Sequence, residues 1–529
     1  MQQDKKYITA VALTVAIGGF LLGFDATVIS GAVPFIKSYF DLTGTSGDLK
    51  LGWAVSCLGW GALGGNAFAG FLSDRFGRKK VLLITALLFA GSALLSAFAT
   101  NFTTFVVSRI LAGVAVGVVI LVAPVYIAEI SPSGERGSLV SFNQLMIVIG
   151  ISASFFSNYF LLQAGENNWR WMLGVEAVPA LLYFLLLFAV PESPRWLFGR
   201  GEAGRAREIL TRSCGANQAD EELRNIEESF GRQEARVSLG GLFGPRMRFI
   251  MLIALAIAFF QQITGINAIF YYLPTIFAQA GGGTNAAFKQ AVLVGLVNLG
   301  MTFVAIRFVD RLGRKPLLAI GATGMAVSLL TCSWAFHDAS YQFSEKSWLV
   351  LQESKVPAEL VRELKAAPPA SFTSDKQFLA GLEKQLGADR LKPHRDALLT
   401  AALKIRASLV LFAIIGFVAS FAISLGPVMW VLLSEIFPNQ CRGTAISVAG
   451  FWNSVVSASV TLIFPWELSR FGPAGTFLGY GLMAVAALLF VVLFIPETKG
   501  KTLEELENLL TRKPRLGAPA ESTKLVSTP

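Results

Sequence analysis

The stretch Asp74-Arg75-Phe76-Gly77-Arg78-Lys79-Lys80 returns 236 positions later as Asp310-Arg311-Leu312-Gly313-Arg314-Lys315-Pro316. Each copy stands between two long apolar runs. A second element, Glu129-Ile130-Ser131-Pro132 with Arg136-Gly137, recurs 306 positions on as Glu435-Ile436-Phe437-Pro438 with Arg442-Gly443. Pro191-Glu192-Ser193 recurs as Pro496-Glu497-Thr498, at an offset of 305. The chain is a duplication, and the jump of about 70 residues in the offset falls between 316 and 435, where a polar stretch lies at roughly 338–404. Two halves repeated in this way are a transporter architecture, with the substrate expected between them near the bilayer midplane.

The apolar runs set the solvent. The 529 residues are 53% hydrophobic and 15% charged, with mean hydropathy +0.57; soluble domains carry about 25% charged residues. Many runs approach or exceed the ~20 residues that cross a bilayer core. Length and flanking polarity predict twelve spans, near 8–31, 51–72, 80–100, 104–128, 139–163, 171–190, 248–278, 287–309, 316–336, 406–433, 443–465 and 474–495. The first is too long for a signal peptide and contains Asp25. This predicts a six-helix bundle at 1–190, a polar helical linker at 191–247, a second bundle at 248–496 and a tail at 497–529.

Charge orients the chain. The short connections after spans 2 and 8, the linker and the tail from Lys499 are basic, whereas the connection after span 3 carries no charge. Short basic loops stay in the cytoplasm, so both termini are expected there, in a multi-pass protein of the cytoplasmic (inner) membrane. The stretch 338–404 then falls outside as a small helical insertion, long enough to escape the charge rule. The net charge of +10 follows from the same loops. Their basic clusters sit at the ends of apolar spans, where positive charge serves membrane orientation, and nucleic-acid binding is not expected.

Several chemistries drop out. Cys57, Cys214, Cys332 and Cys441 are scattered without a CxxC pair, and the two histidines, His337 and His394, lie at the edge of and within the polar insertion. Neither a metal site nor a disulfide framework is supported, and no nucleophile–base constellation marks an enzyme. No GxxxxGK[ST] loop suggests an ATP-driven pump. The glycines from Gly59 to Gly70 and from Gly113 to Gly117 read as small-residue helix packing.

Three ionisable residues lie inside spans. Asp25 and Arg109 fall in the outer half of the membrane at similar depth. A charge at the bilayer centre costs roughly 2.5–3.5 kcal/mol on insertion scales, and such residues pair or line a pathway. Arg stays protonated, while Asp can take or release a proton; a static ion pair that fixes helix packing is the alternative. Glu176 is a third intramembrane carboxylate. At the inner helix ends, Asp74, Arg75 and Arg78 with Glu129 and Arg136, and Asp310, Arg311 and Arg314 with Glu435 and Arg442, are candidates for a cytoplasmic gate of ion pairs, each contributing about 0–1 kcal/mol. Topology anchoring by the positive charges is the simpler reading; the interleaved acids favour the gate.

Taken with Pro191-Glu192-Ser193-Pro194-Arg195-Trp196, Gln261-Gln262-Ile263-Thr264-Gly265-Ile266-Asn267 and Pro496-Glu497-Thr498-Lys499-Gly500, the two Asp-Arg-x-Gly-Arg-Lys loops make the chain resemble the sugar porter family of the major facilitator superfamily. The stretch Arg136 to Gln144 and Trp430-Val431-Leu432-Leu433-Ser434-Glu435 are similar to the bacterial proton-coupled xylose and glucose symporters. The resemblance implies an all-α membrane protein of two six-helix bundles that moves a monosaccharide by alternating access. The proton is then the coupling ion, and no other cofactor is implied. Partners are the sugar, the proton and the bilayer, and a monomer is expected.

A sugar needs neutral groups that both donate and accept hydrogen bonds, and amides buried in lipid are costly unless satisfied. Gln144, Gln261, Gln262, Asn267, Asn298 and Asn453 are such amides; interhelical bonding is the other use for each. The family pattern moves all but Asn453 toward sugar contact. It adds Trp430, after the helix-disrupting Gly426-Pro427, as a face for the sugar's C–H surface, and Tyr271 as a residue that lines or closes the site from outside. Asp25, with Arg109 and Glu176, matches the proton-coupled members, since facilitative ones carry a neutral residue in its place. Ser454 stands where close xylose carriers have a second Trp, and Ile151 where they have Gln, so a hexose fits as well as a pentose. A facilitative uniporter and a sugar sensor are the competing readings.

Overall fold

The computed structural model describes residues 5–132, 134–231, 239–244, 247–281, 283–353, 356–366, 371–372, 375–438 and 441–499. Its framework is a set of apolar helices whose outward side chains are as hydrophobic as their cores. Phe71, Val178, Phe412 and Leu493 are all exposed, a pattern suited to lipid rather than water.

Helices 1 to 5 are Lys5–Tyr39, Gly44–Phe76, Arg78–Ala97, Phe102–Ile130 and Arg136–Leu161. Helix 6 is broken into Asn168–Gly174 and Ala177–Leu187, with Glu176 at the break. Helix 7 comes in three pieces, Arg248–Ile263, Ile266–Tyr271 and Leu273–Gln279. Helices 8 and 9 are Thr284–Leu312 and Arg314–His337, and helix 10 is Ala407–Ile423 continued as Leu425–Ile436. The last helical run, Arg442–Phe494, is 53 residues long and turns at Gly472 (φ 69°, ψ 169°) beside Pro473. At 1.5 Å per residue it is more than twice the ~30 Å of a bilayer core. It is therefore long enough for two spans, helices 11 and 12, which is consistent with twelve spans among the described residues.

Helices 2 and 4 illustrate why the sequence places glycines where it does. Gly61 faces the Ile110 carbonyl, Gly65 faces Val114, Gly113 faces Leu58 and Gly117 faces Ala62, and a Cβ at any of them would collide with the opposing backbone. With no side chain between them the two backbones touch, and association in lipid rests on such contact.

Helices Pro194–Gly199, Ala203–Cys214 and Ala216–Gly231 cap one end of the bundle, called here the linker side. Tyr126 Oη donates to the Pro191 carbonyl at 2.7 Å, and Arg212 lies 3.9 Å over the Tyr7 ring, tying the cap to helices 4 and 1. At the opposite end, the lobe side, a separate lobe rises between helices 9 and 10. Strands Ser340–Tyr341 and Leu403–Lys404 pair antiparallel at its root. Its helices enclose their own core, including Leu351, Leu360, Phe378, Leu382 and Leu398.

The close contacts between the two six-helix bundles lie in their lobe-side portions. Gly52 of helix 2 abuts the Leu462 carbonyl of helix 11, Ser152 Oγ of helix 5 donates to the Gly295 carbonyl of helix 8 at 2.9 Å, and helix 1 packs on the later pieces of helix 7.

Candidate substrate site and buried charge cluster

Arg109 and Asp25 meet. Arg109 Nη1 donates to Asp25 Oδ1, and Nη2 donates to the Asp25 backbone carbonyl at 3.1 Å. Asp25 is 0% and Arg109 2% exposed. Glu176, also buried, interacts electrostatically with both Asp25 and Arg109. Asp25 Oδ2 and Glu176 Oε1 have no partner among the described residues. The cluster thus joins helices 1, 4 and 6 with two carboxylates around one guanidinium. From the other bundle, the Tyr271 phenol stands within electrostatic reach of Asp25 and Arg109. Cys57 of helix 2 is a further neighbour, its thiol donating to the Ala54 carbonyl at 3.3 Å.

The amides of helix 7 form a second cluster. The backbone between Gln262 and Asn267 turns at Gly265, which adopts the left-handed conformation (φ 86°, ψ 17°) open to glycine at no steric cost. The turn brings the two amides together, and Asn267 Nδ2 donates to Gln262 Oε1 at 3.0 Å and to Ser457 Oγ at 2.7 Å. Gln262 Nε2 donates to Asn453 Oδ1 at 3.1 Å. Asn453 Nδ2 in turn reaches the Ala258 carbonyl at 2.9 Å and Gln261 Oε1 at 2.7 Å. Gln261 Nε2 bonds the carbonyls of Leu425 and Gly426 at 2.8 and 3.3 Å, where helix 10 restarts.

This network divides the amides by use. Both donors of Gln261 and of Asn453 are occupied by other helices, so interhelical bonding accounts for these two side chains in this arrangement. Asn267 is half-buried, and its amide oxygen is given no partner by the bonds above. Asn298 is buried on helix 8 without a side-chain partner among the described residues. Gln144 is exposed on helix 5, while its neighbour Asn143 is buried against Gly19. Trp430 is 43% exposed despite its place inside a span, and its ring lies near Gly450 of helix 11, where a Cβ would sit 3.5 Å away. Ile151 is partly buried against the core that both bundles share, and the Ser454 hydroxyl bonds the Gly450 carbonyl of its own helix at 3.0 Å.

At the linker side the charged motifs pair within each bundle. Arg78 grips Glu129 with two bonds of 2.9 and 3.0 Å, and Glu129 also accepts from Ser193 Oγ at 2.6 Å. The second copy repeats this: Arg314 Nη2 to Glu435 at 2.7 Å, and Thr498 Oγ1 to Glu435 at 2.6 Å. Asp74 flanks Arg78 at 3.0 Å but is largely exposed. Arg75 lies over Phe76 and Arg311 offers its carbonyl to Lys499, neither in an ion pair among the described residues. Arg136 approaches Glu222 of the linker at 3.8 Å, and Arg442 bonds the Phe437 carbonyl at 3.2 Å. The side chain of Asp310 lies outside the described ones. These pairs hold neighbouring helices of one bundle, and among the described residues none of them joins the two bundles.

Sequence reasoning assigned no role to Glu192, Ser193, Glu497 or Thr498, although the repeat contains them. Glu192 accepts from the backbone N–H groups of Arg78 and Lys79 at 2.9 and 3.1 Å, and Glu497 from those of Arg314 and Lys315, both at 3.1 Å. Each carboxylate therefore caps the start of a helix in its half. The signal was present as the conserved offset of Pro-Glu-Ser and Pro-Glu-Thr within the chain itself.

A family model described as "Sugar (and other) transporter" matches residues 11–349 and 395–510. The chain is 34% identical over 509 residues to the arabinose-proton symporter of Bacillus subtilis (strain 168), with 95% of each chain covered. It is 34% identical over 544 residues to the D-xylose-proton symporter of Escherichia coli (strain K12), with 96% of each covered. Among solved structures, the inward-open xylose transporter XylE from E. coli matches with a TM-score of 0.74 at 32% identity, over 95% of this chain and 100% of that one. The proton:xylose symporter XylE bound to 6-bromo-6-deoxy-D-glucose matches with a TM-score of 0.68 at 33% identity, over 96% and 100%. The motifs, the duplicated helical fold and this likeness along nearly the whole chain agree: the protein belongs to the sugar (and other) transporter family and has the major facilitator fold.

Proposed function

We propose that the protein is a proton-coupled symporter for a monosaccharide, a pentose or a hexose, working by alternating access in a cell membrane with the linker side in the cytoplasm. The observation that carries this reading is the Asp25–Arg109 pair, buried with Glu176 at the closed lobe side and within electrostatic reach of Tyr271 from the opposite bundle. A proton arriving on Asp25 weakens its hold on Arg109. Because Tyr271 faces the same cluster, the change is felt by the helix 7 segment that closes the outer side. The related symporters of arabinose and xylose support the cargo class.

In this reading the sugar binds between the bundles, against Gln144 of helix 5, Gln262 and Asn267 of helix 7, Asn298 of helix 8 and the Trp430 ring, with Tyr271 above it. Gln261, Gly426 and Asn453 hold that wall in shape. Gln262 presents its oxygen to Asn267 and its nitrogen to Asn453, so a sugar hydroxyl that displaces either bond finds a donor or an acceptor already placed. The linker-side pairs Arg78–Glu129 and Arg314–Glu435 keep each bundle rigid during the rocking step.

The test is flux in proteoliposomes with an imposed pH gradient, against a panel of pentoses and hexoses. The wild-type protein should accumulate at least one sugar and make the external medium alkaline as it does so. Asp25→Asn should abolish accumulation while leaving sugar counterflow. Counterflow without alkalinisation in the wild type would instead mark a facilitative uniporter, and binding without flux a sensor.

A further inference from the structure

The left-handed turn at Gly265 separates the two halves of the amide wall and is covered by one ring. Tyr480 of helix 12 is 5% exposed, and a Cβ on Gly265 would lie 2.6 Å from its ring carbons. The ring is fixed at both ends. Its hydroxyl donates to Glu467 Oε2 of helix 11 at 2.8 Å, across the hairpin that turns at Gly472. Its face stacks on Phe464, with centroids 6.2 Å apart and planes at 11°, and Phe464 lies against Tyr272 at 5.0 Å. Tyr272 belongs to the far side of the same turn, beside Tyr271. The row Tyr480, Phe464, Tyr272 therefore bridges helix 12, helix 11 and the end of helix 7 that closes on helix 1.

We propose that Tyr480, held by Glu467, is a positioning residue for the hinge at Gly265 and sets how readily the outer pieces of helix 7 close on helix 1. The argument is steric. The turn can change its angle only if the ring lying on it yields. The ring yields only by breaking its bond to a half-buried carboxylate, and a hydrogen bond to a charged group is among the stronger ones. Among the described residues Glu467 is given a bond to Tyr480 and none to the proposed sugar wall or the Asp25 cluster. It acts through Tyr480, and Tyr480 acts on backbone geometry. The inference rests on the proposed transport by rocking of two bundles, and it names a latch for the outer side of that motion.

The experiment reads conformation and flux together, on the full-length protein in nanodiscs and in proteoliposomes. Spin labels go on the exposed positions Ser38→Cys and Gln279→Cys, at the lobe-side ends of helices 1 and 7, since the four native cysteines are buried. The wild-type distance distribution should be dominated by one short population. Tyr480→Phe keeps the ring and removes the hydroxyl; it should raise a longer-distance population about tenfold. The maximal rate of net uptake should fall severalfold while the affinity for sugar changes by less than about twofold. Glu467→Ala should reproduce both effects, and Glu467→Gln, whose amide oxygen still accepts but carries no charge, should fall between Glu467→Ala and the wild type. If Tyr480→Phe does not yield folded protein, the contrast between Glu467→Ala and Glu467→Gln decides. Distances and rates that superimpose on the wild type in Tyr480→Phe or in Glu467→Ala overturn the latch. A wild-type protein that moves no sugar, with distances that still shift in the variants, overturns the transport reading and leaves the latch standing.

Discussion

Asp25, Arg109 and Glu176 are the residues from which most of the proposed mechanism follows. Two carboxylates and one guanidinium in a water-poor site carry a net negative charge, and desolvating an uncompensated charge costs several kcal/mol. Among the described residues Asp25 Oδ2 and Glu176 Oε1 lie there without partners, and a proton on either carboxyl would remove the uncompensated charge. Glu176→Gln mimics the protonated form permanently. Uptake driven by a pH gradient should drop at least about tenfold, the loss expected when a buried charged partner is removed, while counterflow persists. Retention of gradient-driven accumulation by this variant would assign the proton to Asp25 alone. These three residues were legible because ionisable groups are rare in apolar runs. The division among the amides was not. Gln261 and Asn453 look as available as Asn267 in sequence, and what occupies them comes from helices about 160 to 195 residues away. No local pattern encodes a partner that distant.

At the scale of elements, the duplication is written into helix starts as well as into the helices. Glu192 and Glu497 each hold the first backbone N–H groups of the helix after an Asp-Arg-x-Gly-Arg-Lys loop, helices 3 and 9, where the helix dipole favours an anion. For Glu497, partial burial alone would raise the pKa, but bonds from the N–H groups of Lys499, Arg314, Lys315 and Thr498 outweigh it and hold the carboxyl below the usual glutamate range. A depressed pKa in the folded state means stabilisation that is complete above the ordinary value of about 4.3 and fades as pH falls through the lower folded value. Glu497→Gln should therefore cost about 0.5–1 kcal/mol at pH 7. The gap to the wild type should close as pH falls below about 4. Thermal unfolding in detergent across that range measures it, and a gap independent of pH would mean the carboxylate charge is irrelevant to the cap. The linker-side charges show the limit of reading elements from sequence. Composition marks Arg78, Glu129, Arg314 and Glu435 as pairing partners, but whether a pair locks one bundle or two depends on where the bundles meet. That is a property of the assembled fold.

For the whole molecule, the lobe between helices 9 and 10 separates what transport requires from what this chain adds. The jump in repeat offset located it in the sequence, but its private core was hidden, because its short amphipathic helices read equally well as solvated. In the structure Ser340 faces Lys404 and Tyr341 faces Leu403 across the antiparallel pair at its root. Paired residues of this kind have Cα atoms about 5 Å apart, so the chain that leaves the membrane returns within the reach of a tight turn. The family match also stops at residue 349 and resumes at 395, omitting most of the lobe from what the family shares. The lobe's core residues pack on one another, whereas the large core that includes helices 7 to 12 contains none of them. Replacing residues 345–402 by a Gly-Ser turn of about four residues adds little loop-closure entropy and leaves the large core untouched. Uptake by the shortened protein should stay within about twofold of wild type, with the same response to Asp25→Asn. A protein that reaches the membrane in normal amount but loses uptake would place the lobe inside the transport cycle. In that case its root at helices 9 and 10, rather than the hinge of helix 7 alone, would have to move when the outer side opens.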